Sequence, residues 1–172
     1  MNKPVINIAD VELHPRPPAY AATGRAAGKF DARMGMIAPQ LGAQKLGYNL
    51  TAVPPGMCAF PRHSHRVNEE MFYVIEGHGE VRIGEQTHAI RAGDVIACPP
   101  GGPETAHLIS NTGEAELKYL AVSTRLSPEI CDYPDSGKFA VLAELGTDEN
   151  GYPKMFRHVG RVDDARDYWE GE

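Results

Sequence analysis

The sequence lacks the marks of a membrane or secreted protein, and it carries little basic charge. No apolar run is long enough to span a bilayer, and residues 1–7 lack the apolar core of a signal peptide, so we expect a cytoplasmic protein. Lys and Arg number 17 against 23 Asp and Glu. The net charge of −6 argues against nucleic acid or an anionic membrane as the main partner. The three cysteines, Cys58, Cys98 and Cys131, cannot all pair internally, and their spacing is not a zinc pattern.

A sustained helical repeat is also missing before residue 140, and no glycine-rich phosphate loop is present. Short apolar stretches separated by Gly and Pro turns predict a β-sandwich or closed β-barrel instead. At 172 residues, 42% of them hydrophobic, the chain fits one domain with a substantial core. The pattern predicts strands at 30–37, 44–53, 57–60, 70–76, 80–83, 86–91, 95–98, 106–110, 115–124 and 129–133. Residues 138–145 fit strand or helix, and Gly77-His78-Gly79 predicts a hairpin.

The stretch from Gly56 to Gly77 carries the strongest chemical signal in the chain. Successive strand side chains point to opposite faces, so His63 and His65 share a face. A carboxylate returning on the next strand, Glu70 or its neighbour Glu69, would complete a set that can hold a divalent metal. His107 is a further candidate downstream. The alternative is that the histidine pair is merely a surface or core feature.

Two stretches of this sequence resemble the paired motifs of the cupins, which are small β-barrel proteins. The first cupin motif, G-x5-H-x-H-x3,4-E-x6-G, is matched by Gly56, His63, His65, Glu70 and Gly77, with one extra residue before His63. The second, G-x5-P-x-G-x2-H-x3-N, is matched by Gly93, Pro99, Gly101, His107 and Asn111, with three extra residues before His107. The six-residue gap that ends at Gly77 favours Glu70 over Glu69.

The resemblance implies an all-β double-stranded β-helix with one metal in the barrel. His63, His65, Glu70 and His107 would bind a divalent transition metal, either Fe, Mn, Ni, Co or Zn. Tyr48, Phe72 and Tyr119 are candidates to line the pocket. We divide the chain into an N-terminal arm with edge strands (1–40), the barrel (41–126) and a C-terminal extension packing on it (127–172). Within the first part, residues 14–28, rich in Pro, Ala and Gly, form either an ordered arm or loop that wraps the barrel or a partner subunit, or a mobile linker.

The implied function is that of a metal-dependent enzyme acting on a small oxygen-rich metabolite, of isomerase, dioxygenase or decarboxylase type. Chains of this kind are often described as sugar-phosphate isomerases. A phosphate substrate would need a basic anchor, and Lys45, Arg62, Arg82 and Lys118 read more simply as solvated surface charges. The alternatives are a non-catalytic ligand-binding or sensor cupin, or a structural cupin without metal, which the intact His/His/Glu/His set argues against. A homodimer is expected because barrel edges must be covered.

Overall fold

The computed structural model describes residues 4–147 and 153–172. In chain order the strands are β1 (His14–Pro15), β2 (Arg33–Met36), β3 (Leu46–Val53), β4 (Ser64–His65), β5 (Glu70–Glu76), β6 (His78–Ile83), β7 (Gln86–Arg91), β8 (Val95–Cys98), β9 (His107–Ser110), β10 (Leu117–Thr124), β11 (Glu129–Tyr133), β12 (Lys138–Thr147) and β13 (Pro153–Arg161). Single 3₁₀ turns are the only helical segments described, at Ile8–Asp10, Pro18–Tyr20, Gly24–Ala26, Pro103–Thr105, Pro134–Ser136 and Val162–Asp164. None of these described helical turns could cross a membrane.

The strands form three antiparallel sheets that pack as a jelly-roll barrel. The first sheet has the order β1-β2-β3-β10-β5-β8, the second β13-β12-β11-β4, and the third β7-β6-β9. Buried and exposed side chains alternate along these strands: in β5, Phe72 and Val74 are buried while Met71 and Tyr73 are exposed. The predicted all-β double-stranded β-helix is therefore confirmed.

Two apolar clusters lie on opposite sides of the first sheet. The barrel interior holds the larger, which includes Val53, Phe72, Val74, Leu117 and Tyr119. The smaller cluster packs the N-terminal arm against the outside of the sheet, and it is formed by Val11, Ile37 and Leu50 with the partly buried Ile6, Leu13, Leu41, Tyr48, Ile75 and Leu120. The arm thus contacts the barrel through these apolar side chains and through the pairing of strand β1 with β2.

Two local expectations are corrected by the structure, and one that was left open is resolved. Gly77-His78-Gly79 does not form a hairpin, since β5 and β6 belong to different sheets and the chain crosses between them at this point. Gly77 has φ 84°, and a Cβ there would lie 2.6 Å from the carbonyl oxygen of Glu116, so only glycine fits the crossing. The predicted strand 57–60 is reduced to isolated bridges at Cys58. Residues 138–145 are strand, as part of β12.

Candidate metal centre

Three imidazole side chains converge on a single carboxylate oxygen. Glu70 Oε2 lies 3.0 Å from His107 Nε2, 3.4 Å from His65 Nε2 and 3.8 Å from His63 Nε2. His107 is only 4% exposed, and the other three side chains are largely buried. These are the four residues that the sequence motifs single out. The structure brings all of them together, and their role as metal ligands stays a prediction.

Backbone pairing explains why the three imidazoles meet. His63 and His107 lie opposite each other, and the N–H of each donates to the carbonyl of the other, at 3.1 and 2.8 Å. Their ring centroids are 4.6 Å apart. His65 follows on the same face with its ring 5.1 Å from that of His63, while Ser64 between them is buried on the opposite face.

The insertion in the second motif leaves His107 in place. The extra residues between Gly101 and His107 are taken up by the 3₁₀ turn Pro103–Thr105, and His107 is still the first residue of β9. Glu70 is likewise the first residue of β5, whereas Glu69 is exposed. Only Glu70 of this pair therefore faces the imidazoles.

Unpaired polar atoms mark the centre. Among the described residues, the buried side-chain nitrogen and oxygen atoms without a hydrogen-bond partner include His65 Nε2, Glu70 Oε2 and His107 Nε2. The close approach of His107 to Glu70 is therefore not aligned as a hydrogen bond. Each buried unpaired group costs about 1–3 kcal/mol. Imidazole nitrogens and a carboxylate suit a divalent transition metal. The residues present fit such an ion, which would satisfy atoms that the protein leaves unpaired.

Contacts on the outer side of two rings fix which nitrogen faces the centre. His63 Nδ1 lies 2.9 Å from the carbonyl oxygen of Pro61, so Nδ1 carries the proton and Nε2 is left as the acceptor. His65 Nδ1 lies 3.4 Å from Cys131 Sγ and 3.5 Å from Glu129 Oε2. Both imidazoles therefore present Nε2 towards Glu70.

The electrostatics of the centre follow from burial and proximity. Burial lowers the pKa of His63 to about 4, so the neutral form needed by a metal prevails. Burial also disfavours charge on Glu70 and His65, but their neighbours outweigh it. Contacts from His107 and His65 hold the pKa of Glu70 well below its ordinary value. Cys131 and Glu70 raise the pKa of His65 to about 10. A metal that binds His65 must therefore displace a proton.

Glu129 supports the turn that joins His65 to Glu70, and the sequence reasoning missed it. Its carboxylate is buried and accepts from the backbone N–H groups of Arg66, Val67, Asn68 and Ile130 at 2.8–3.1 Å. The side-chain amide of Asn68 also donates to Glu129. No local pattern marks Glu129, because its partners in the turn lie 61 to 63 residues upstream.

Two of the three expected pocket aromatics lie at the centre. Phe72 and Tyr119 line a small cavity together with His63 and His107, and the Phe72 ring centroid is 5.5 Å from that of His107. Tyr48 does not line this cavity, since it packs in the cluster outside the sheet. The alternation of β3 explains the correction: Thr51 and Val53 point into the barrel, whereas Tyr48 and Leu50 point out.

Arg62 is buried, which corrects its interpretation as a solvated surface charge. It is 6% exposed and donates to Asp135 Oδ1 at 3.1 Å, to the Gly84 carbonyl at 2.9 Å and to the Pro103 carbonyl at 3.4 Å. These acceptors belong to three separate loops. Arg62 therefore ties together the loops that surround His63 and His107.

Comparison with known proteins agrees with the fold. Residues 49–123 match the family model described as a cupin domain, and this range contains all four residues of the centre. A solved structure described as a sugar phosphate isomerase from a cupin superfamily, from Silicibacter pomeroyi, superimposes with a TM-score of 0.72. It is 22% identical, and the match covers 97% of this chain and 98% of that chain. This likeness shows the fold.

Two curated relatives match part of this chain. An uncharacterized protein of Methanocaldococcus jannaschii is 36% identical over 61 residues, which are 36% of this chain and 46% of that protein. An oxalate-binding protein of Thermotoga maritima is 34% identical over 70 residues, which are 41% of this chain and 54% of that protein. The chain thus spans about half the length of the curated relatives it matches.

Proposed function

This chain contains a cupin domain, and we propose that the domain is a metal-dependent site for a small oxygen-rich metabolite. His63, His65, Glu70 and His107 are the proposed ligands of one divalent ion. The observation that carries the proposal is that the buried Nε2 atoms of His65 and His107, both without a hydrogen-bond partner, lie 3.4 and 3.0 Å from the equally unpartnered Glu70 Oε2. A bound ion would act as a Lewis acid on an oxygen atom of the ligand.

The protein's own residues set what the site accepts. Pro61 and Cys131 hold the two imidazoles of the first motif with Nε2 inward, and Phe72 and Tyr119 keep the adjoining cavity apolar. Three neutral imidazoles and one carboxylate would leave a divalent ion with a net charge of about +1, which favours an anionic chelating ligand. A small carboxylate fits this description, and the oxalate-binding relative supports that class. The proposed reaction is of isomerase, dioxygenase or decarboxylase type.

A second candidate function, ligand binding without turnover, is favoured by the lining of the cavity. Apart from the imidazoles, the described residues that line it are apolar or aromatic, and their only hydroxyl is that of Tyr119. Burial raises the pKa of Tyr119 well above its ordinary value, so it is a poor base at neutral pH. Apart from the proposed ligands His63 and His107, the other described side chains that line this cavity carry no group that takes up a proton near neutral pH.

Metal content and turnover test the two candidates. Protein purified without chelators is expected to hold about one divalent ion per chain, and His107→Ala less than about a tenth of that. His88→Ala is the matched control, because His88 is exposed on β7 away from the centre. Full metal content in His107→Ala would contradict the proposal. Turnover of keto acids, catechols, oxalate or sugar phosphates by the iron, manganese or nickel form would select the enzyme over the binder.

A homodimer and a cytoplasmic location belong to the same proposal. Strand β13 exposes Met155, Phe156 and Val159, and apolar surface of this kind favours a partner. The cysteines Cys58, Cys98 and Cys131 are buried and free, which fits a reducing compartment. Sedimentation velocity at micromolar concentration tests the dimer, and a purely monomeric boundary would contradict it.

A further inference from the structure

A second, larger pocket adjoins the candidate metal centre on the side of His63. It has a volume of about 420 Å³, and Phe30, Asp135 and Ser136 line it together with six cationic or tyrosine side chains, those of Arg16, Tyr20, Lys29, Arg62, Tyr133 and Lys138. We call it the basic pocket. Four of these six side chains are cationic. They come from the N-terminal arm, the start of the first motif, and strands β11 and β12, so no continuous stretch of sequence reveals them.

Three of the four cations of the basic pocket have no ion-pair partner among the described residues. Asp135 is the one acidic residue in its lining, and its carboxylate is already paired with Arg62 at 3.1 Å. Arg16, Lys29 and Lys138 form no ion pair with any described residue. The whole chain carries a net charge of −6. A cationic hollow in an acidic protein focuses the field on an anion.

Arg16 is the one partly buried side chain among the three cations without an ion-pair partner. Its guanidinium lies 4.5 Å from the centroid of the Phe60 ring, and it donates to the carbonyl of Ala59. Its Nε is buried without a hydrogen-bond partner. Desolvation lowers the pKa of Arg16, which reflects a partly buried charge that a bound anion would stabilise.

The basic pocket and the small cavity at the metal centre share part of their lining. Pro61 and Leu108 line both the basic pocket and the small cavity at His63 and His107. The Tyr133 ring stacks against His63 with centroids 6.1 Å apart and planes 20° apart. The two spaces therefore lie side by side, on either side of Pro61 and Leu108.

We propose that the basic pocket is an oxyanion subsite, which holds a phosphate or carboxylate tail of the ligand whose other oxygen atoms reach the metal centre. The proposal rests on the proposed function only for where the rest of the ligand lies. Arg16, Lys29 and Lys138 bind the tail through charge-assisted hydrogen bonds, while Tyr20 and Tyr133 flank it. The subsite supplies the basic anchor that a phosphate substrate needs and that the sequence did not reveal.

Binding of inorganic phosphate at low ionic strength tests the subsite, because exposed charges are screened by salt. Calorimetric titration is done on metal-loaded protein and on protein freed of metal by chelation and dialysis. We expect saturable binding in both forms. Lys29→Gln and Lys138→Gln should each weaken it about fivefold, and Arg16→Gln about thirtyfold, because the guanidinium is partly desolvated. Lys45→Gln, an exposed lysine outside the pocket, is the matched control and should change nothing.

A parallel titration with succinate separates the two possible tails. Binding of phosphate alone identifies a phosphorylated ligand, and binding of succinate alone identifies a carboxylate ligand, provided that Arg16→Gln weakens either one. Phosphate that binds only to metal-loaded protein, or equally well to wild type and all three variants, would overturn the subsite. Elemental analysis of the same samples keeps the two proposals apart. Anion binding through Arg16 in a wild-type protein that takes up no metal would support the subsite and contradict the metal centre.

Discussion

The two sides of the candidate metal centre differ in how their polar groups are satisfied. On the His65 flank, formed by Asn68, Glu129 and Cys131, protein atoms pair with one another, and Glu129 alone accepts four backbone N–H groups. On the His63 flank, formed by Arg16, Lys29, Tyr133 and Lys138, three cations have no ion-pair partner among the described residues. His65 thus borders a closed network, whose polar groups are paired with one another, whereas His63, two residues earlier, borders an open cationic pocket.

The contrast indicates that the two flanks have different roles. A smaller cavity of about 180 Å³ does reach His65 and Glu70, but its lining mixes both signs of charge, with Arg125, Glu129 and Glu144. Mixed charges neutralise one another, whereas like charges attract an oppositely charged ligand. We therefore expect the His65 flank to hold the centre in place and the His63 flank to admit the ligand.

Removing the centre itself gives the largest expected effect. Glu70→Gln should lower metal affinity at least about a hundredfold, because it replaces the carboxylate that all three imidazoles approach. Glu69→Gln should leave affinity unchanged, since Glu69 is exposed. Competition with a fluorescent chelator measures both. The reverse result would identify Glu69 as the metal ligand in place of Glu70.

Glu129→Gln tests the closed network. The amide that replaces one oxygen would turn a donor towards backbone N–H groups, so the free energy of unfolding should fall by about 2–4 kcal/mol. Asp132→Asn on the same strand is the control and should cost less than about 1 kcal/mol, because Asp132 pairs with a half-exposed Arg66. Urea unfolding of metal-free protein measures both. Equal losses of stability in the two variants would show that the buried network of Glu129 stabilises the fold no more than a half-exposed ion pair does.

Cys131→Ala tests whether the His65 flank orients its imidazole. Loss of the contact between Sγ and His65 Nδ1 should weaken metal binding about tenfold. Cys58→Ala removes a buried thiol that contacts Ser110 instead and should leave metal affinity unchanged. The ratio of the two metal dissociation constants is the readout, since both variants lose similar packing. A ratio near one would show that the thiol only fills space.

The smallest expected effect belongs to the His63 flank. Lys29→Gln and Lys138→Gln should each change the free energy of unfolding by less than about 0.5 kcal/mol, because both side chains are exposed and lie over the rings of Phe30 and Tyr133 without an ion pair to a described residue. Thermal unfolding in low salt measures this. A loss as large as that of Glu129→Gln would show that these lysines hold the fold and would weaken the case for a ligand subsite.

Much of the fold could be predicted because strand alternation and turn residues are local signals. The predicted bounds of β7, β8 and β11 agree with the structure. The hairpin at Gly77 was wrong because a glycine signals a change of direction but not which sheet the next strand joins. The same limit applies to Tyr48. Its place in strand β3 was predicted correctly, but its side chain lies on the outer face of the sheet and not in the pocket.

The candidate site likewise has residues that the sequence reveals and residues that only the folded structure reveals. The four proposed ligands lie within two short motifs, so spacing alone singles them out, and their metal-binding role stays a prediction. Glu129, Cys131 and Arg16 reach the centre only through tertiary contacts, across 66 residues of chain for Cys131 and His65. Arg62 was recognised as basic, but its burial depends on loops brought together by folding.

Arg62 has a consequence for how quickly a ligand is captured. Since one guanidinium joins the loops at Gly84, Pro103 and Asp135, the rim beside the basic pocket is already assembled before any molecule arrives. A preassembled rim spares the entropy of ordering loops at the moment of contact. Capture should then be limited by diffusion and charge attraction, with no slow closing step and no lag in a stopped-flow trace.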